Sequence, residues 1–121
     1  MSKTAVRTPI VAPGEKLHVI SRQLFERDVR RHFVGEVMVA ADALVRLQGY
    51  VFVYEPGRQQ YVRRPEPRTR ILGLGDGTQI VKLLPHDVAI EKLSYVLGPD
   101  GSLVLTDGRG FQMDIHEFLP A

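Results

Sequence analysis

Residues 33 to 54 read FVGEVMVAADALVRLQGYVFVY, two runs of period-two alternation with a single turn residue, Asp42, between them. Alternation at period two belongs to strands, because successive side chains leave a strand on opposite faces. In Phe33 to Ala41 both alternating sets are largely apolar, which predicts a strand covered on both sides. Ala43 to Tyr54 sends Val45, Leu47, Val51 and Val53 one way, and Arg46, Gln48, Tyr50, Phe52 and Tyr54 the other. Gly49, in the middle of this second run, is the expected place for a bulge or sharp bend.

The rest of the chain continues in short extended pieces divided by turn residues. Leu17 to Ile20 reads as a strand, and Ser21 to Arg31 as one short amphipathic helix with Ser21 as its N-cap and Leu24, Phe25 and Val29 on its apolar side. Pro56-Gly57 turns the chain into a strand over Gln60 to Arg64. Pro65 and Pro67 then interrupt any ladder, since proline has no backbone N–H to donate. Arg68 to Leu74 is extended, and Thr78 to Leu84 is open between a helical turn and a strand. Lys92 to Leu97 and Ser102 to Thr106 form a hairpin across Gly98-Pro99-Asp100-Gly101. Asp107-Gly108 turns into a last strand over Phe111, Met113 and Ile115. The expectation is a mostly-β domain: a small antiparallel barrel or β-roll of five to seven strands with one short N-terminal helix, spanning residues 15 to 121 behind a flexible tail of residues 1 to 14. Its core is expected to use Val37, Val39, Val45, Leu47, Val51, Val53, Ile71, Leu93, Val96, Leu103, Leu105, Phe111, Met113 and Ile115.

A chain of 121 residues suits one domain, and 44% apolar with 25% charged residues is a globular mix. Cysteine is absent, which excludes disulfides, thiolate metal sites and thiol nucleophiles. No stretch approaches the ~20 apolar residues of a membrane-spanning helix, and the expected location is the cytoplasm. The net charge of +2 is unevenly spread: residues 1 to 70 carry 13 basic and 7 acidic side chains, residues 71 to 121 carry 3 and 7. Such a dipole suits either a polyanion or a second copy of the chain.

Four groups of residues have the chemistry of a site. Arg63, Arg64, Arg68 and Arg70, with Tyr61, could clamp phosphates and stack on bases, unless Glu55 and Glu66 pair with them. Gly73-Leu74-Gly75-Asp76-Gly77 resembles a phosphate loop in composition, but no long helix follows, and a turn is the better reading. His86-Asp87 and Asp114-x-His116-Glu117 have the residue types of acid–base or metal chemistry, without the spacing of a zinc site. Ser94 and Ser102 lack a nucleophile elbow. No catalytic residue, metal ligand or cofactor is assigned.

Val34-Gly35-Glu36-Val37, followed by two long strands, and Gly108-Arg109-Gly110-Phe111, entering the last one, give the chain a resemblance to Sm-like and other SH3-like small barrels. The resemblance covers Ser21 to Glu117. It implies a short helix leading into a bent five-stranded sheet, ring assembly through strand edges and RNA as a ligand. The Asp-x-x-Met-Asn segment of the first Sm motif is absent and Pro65-Glu66-Pro67 breaks a strand, so the family's RNA-binding residues are not carried over. The expected function is a non-catalytic binding or assembly module that forms a homo-oligomer. One alternative is a binder of nucleic acid, an acidic protein or another polyanion through the arginines. A second is a small hydrolase or isomerase using His116 with Asp114.

Overall fold

A computed structural model describes residues 10–21, 31–75, 77 and 79–115. Nine strands are seen there: β1 (Lys16–Ser21), β2 (Arg31–Ala41), β3 (Leu44–Glu55), β4 (Gln60–Arg63), β5 (Arg68–Gly73), β6 (Gln79–Leu84), β7 (Ser94–Leu97), β8 (Leu103–Thr106) and β9 (Gln112–Asp114). The one helical piece among the described residues is a 3-10 turn, Ile90–Lys92. The helix expected over Ser21 to Arg31 falls, apart from its ends, outside the described residues; Ser21 and Arg31 themselves are strand residues. No helix among the described residues is long and apolar enough to cross a membrane.

The first six strands form one antiparallel sheet in the order β4-β3-β2-β1-β6, with β5 also paired to β3. The expected barrel is not there: the sheet is open, and β7-β8-β9 make a second, separate sheet. Pro65-Glu66-Pro67 separates β4 from β5. The chain turns there, so that β4 pairs with Phe52–Glu55 of β3 and β5 with Leu44–Gly49 of the same edge. Two consecutive strands thus share one edge, while β6, whose open alternatives resolve to a strand, lies at the other, beside β1.

The long β2–β3 pair is the spine of the molecule. Its register runs from Arg31↔Val53 to Ala41↔Leu44, with one shift between Val37 and Val39. The bulge therefore sits at Met38 rather than at Gly49. Gly49 lies directly opposite Gly35, where the two backbones approach closely. The bulge also corrects the core list. It moves Val39 into register with Arg46, on the face opposite to that of Val37 and Leu47, and Val39 is half exposed. Ile71 is aligned with Arg46 from the other side and is likewise exposed, as is Val96.

Two clusters make the core, one on each face of the large sheet. Leu17, Val19, Phe33, Val37, Val45, Leu47 and Val51 pack together on one face with Val11. Val11 belongs to the segment expected as tail, but it is buried, and the Gly14 N–H donates to the Val37 carbonyl. On the other face Ile20, Val34, Phe52, Tyr61 and Leu84 pack with Val88, Leu93, Leu105 and Ile115, which joins the second sheet to the first. The expectation that Phe33 to Ala41 is covered on both sides holds only at its start: His32, Phe33, Val34 and Gly35 are all buried, while Glu36, Met38, Val39 and Ala41 are exposed.

Candidate functional site

Three polar groups meet in the seam between the sheets. His18 of β1 and His32 of β2 leave the large sheet on the same face, since His18 is aligned with Val34 and Ile20 with His32. Their rings meet edge to face with centroids 5.5 Å apart. Tyr95 of β7 comes from the second sheet. Its hydroxyl lies 2.6 Å from His18 Nε2 and is also hydrogen-bonded to His32 Nδ1. Tyr61 of β4 stacks on His32 at 4.3 Å, and Phe52 meets Tyr95 edge to face at 4.8 Å. Both histidines are fully buried, and His18 Nδ1 has no hydrogen-bond partner. Burial, then the neighbouring His32 and Lys82, hold the His18 imidazole down to a pKa of about 3. His18 is therefore neutral at physiological pH.

Sequence reading weighed His86 and His116, which have carboxylates beside them, and assigned nothing to His18 and His32. The signal was in their neighbours. Leu17-His18-Val19-Ile20 and His32-Phe33-Val34 embed each imidazole in an apolar run of a strand buried on both faces, and a polar group placed there needs a partner.

The arginine stretch divides. Arg63, an exposed residue, is held within the chain: its guanidinium donates to the carbonyls of Glu91 and Leu93, the latter at 3.3 Å, and lies 5.1 Å over the Tyr50 ring. It ties β4 to the 3-10 turn and the start of β7. Tyr61 is buried against His32 rather than presented to solvent. Arg64 and Arg68 are exposed, and Arg70, two residues along β5 on the same face as Arg68, is half exposed. Glu55 lies 3.5 Å from Arg58, three residues on in the same turn.

His86 and Asp87 are exposed, and the His86 carbonyl accepts from Lys16 Nζ at 2.7 Å. Asp114 is exposed on β9, while His116 lies outside the described residues. Ser102 Oγ donates to Asp100 at 2.6 Å inside the hairpin, and Ser94 is exposed at the start of β7. The glycine-rich segment leads from β5 into β6, not into a helix. Among the described residues no group of three or more His, Asp or Glu side chains is placed to hold a metal ion.

A feature that sequence reading missed is a set of open apolar side chains. The second sheet covers the Val34–Phe52 end of the large sheet. At the other end of that face Val39, Arg46 and Ile71 stand in one cross-strand row, with Leu44 two residues from Arg46. Val39, Leu44 and Ile71 are 51%, 55% and 63% exposed, and Met38 of the bulge is 45% exposed.

No family model, no curated protein and no solved structure matches the chain.

Proposed function

We propose that the protein is a non-catalytic assembly module whose occupant for the open row is a second copy of the same chain. The observation that carries this reading is the uncovered apolar row Val39–Ile71 with Leu44 and Met38, on the same face that the second sheet covers further along. Contiguous exposed apolar groups on a small domain mark interaction surfaces. A two-fold contact sets each patch against its own image, and the stem of Arg46, in the middle of the row, adds apolar surface to it while its head reaches for water. The most concentrated polar constellation, His18–Tyr95–His32, is buried rather than open to a substrate, which also favours a module without chemistry. A cytoplasmic setting belongs to this reading and is in keeping with a chain without cysteine. Amide spectra recorded across a concentration series test it. Shifts confined to Met38, Val39, Leu44, Arg46 and Ile71 are expected, and a spectrum independent of concentration would count against it.

A second reading, a polyanion contact through Arg64, Arg68 and Arg70, is favoured by one observation. Glu55, one of the two carboxylates that could neutralise them, lies beside Arg58 instead. Titrating a labelled oligonucleotide at two salt concentrations tests it, since phosphate contacts release counterions and weaken steeply with salt.

A further inference from the structure

We propose, on the assembly reading above, that the cleft beside the 3-10 turn receives the Arg46 guanidinium of the second copy, so that two copies lock by a reciprocal exchange of charge. The cleft has a volume of about 290 Å³ and is lined by Glu36, Gln48, Tyr50 and Glu91, with Met38 and Ile90 among its apolar lining. Pockets that enclose whole small-molecule ligands run from about 300 to 1,000 Å³, so this one suits a single side-chain head. Glu36 and Gln48 are cross-strand partners on β2 and β3, and Glu91 comes from the 3-10 turn. Both carboxylates are exposed, and no lysine or arginine among the described residues lines the cleft. Arg63, the cation over Tyr50, directs its donors to the backbone carbonyls of Glu91 and Leu93 instead.

Arg46 supplies the matching charge. It is exposed on the same face of β3, two residues before Gln48, and so stands one cross-strand row from the Glu36–Gln48 pair. Rows two residues apart along a strand are about 7 Å apart. Among the described residues no ion pair joins Arg46 to Glu36 or Glu91 within one copy. A two-fold contact centred on the Val39–Arg46–Ile71 row sets each guanidinium against its own image, and like charges set together disfavour association. A contact displaced by one row brings Arg46 of each copy to the carboxylates of the other, and the symmetry makes the exchange twice. Val39, Leu44 and Ile71 still meet apolar surface in that arrangement. The planar guanidinium suits carboxylate oxygens, and the Gln48 amide oxygen is a further acceptor beside them. Because both carboxylates are exposed, the pairs stay wet at the edge of the contact. They set its register and its choice of partner more than its strength.

The test is complementation between two variants of the full chain, read by sedimentation velocity. Arg46→Glu alone and Glu36→Arg alone should each melt like the wild type but associate more weakly by over about tenfold, since like charges then meet twice in every pair. An equimolar mixture of the two variants should recover association to within about threefold of the wild type, because both contacts of a mixed pair again join opposite charges. Pairing of Arg46 with Glu36 inside one copy predicts no recovery on mixing, since each variant keeps its own like-charged neighbours. If either reversal does not fold, Arg46→Gln decides: it should weaken association by about threefold or more, and association as tight as the wild type's would overturn the cleft. Single reversals that associate like a self-associating wild type, or a mixture as weak as either variant alone, would also overturn it and leave the assembly reading standing. A wild type that never associates would remove both.

Discussion

A Cβ placed on Gly49 would stand 1.8 Å from the carbonyl oxygen of Val34, and 2.5 Å from the Cα of Gly35. Both obstacles are backbone of the paired strand, so no side-chain rotation relieves them. Gly49→Ala should push β3 away from β2 in the middle of the spine. The expected result is the loss of a cooperative urea transition, or destabilisation above about 4 kcal/mol, a size seen only for a few severe mechanisms. Gly35→Ala meets the Phe33 ring at 2.6 Å, a side chain that can shift, and the backbone carbonyl oxygen of Gln48 only at 3.1 Å, and should cost less.

The two core clusters and the open row make a contrast. Leu47 and Leu105 are fully buried, one in each cluster. Replacing either by alanine should cost roughly 2–5 kcal/mol, as transfer and cavity terms add. Val39→Ala and Ile71→Ala should each stay within about 1 kcal/mol in the isolated chain, because surface substitutions seldom cost more. Denaturant midpoints of the four variants check the pattern.

That contrast shows where the sequence was readable. The strands, the Gly98–Gly101 hairpin and the two-sided burial of Phe33 to Gly35 follow from local alternation and turn chemistry, which are properties of neighbours in the chain. Val39 failed because one extra residue at Met38 inverts every later side chain of β2, and a bulge has no fixed sequence mark. The barrel failed because closure depends on which edges meet, a long-range property. The arginines were legible as a basic stretch, yet only the fold brings Arg63 to the carbonyls of Glu91 and Leu93. The His18–Tyr95–His32 cluster joins residues 77 and 63 positions apart, beyond any local pattern.

Arg63 and Arg68 should behave differently when neutralised. Arg63→Gln removes the donor to two carbonyls and the cation over Tyr50, and should destabilise by about 1–3 kcal/mol, the range for a lost bond to a charged donor. Arg68→Gln together with Arg70→Gln should leave stability nearly intact. If the surface takes phosphates, the pair should instead flatten the salt dependence of oligonucleotide binding by about two contacts, each worth a slope of about −0.7 to −0.9. Thermal melts and a salt-dependent titration separate the roles.

Assembly through the open row is the central claim, and sedimentation velocity of the full chain tests it most directly. Runs up to high micromolar concentration, at low and moderate salt, should show at least a dimer in the wild type. The double variant Val39→Lys with Ile71→Lys, which sets like charges around Arg46 and against their own images, should sediment as a folded monomer. A wild-type chain that is monomeric at every concentration in both salts would contradict the account.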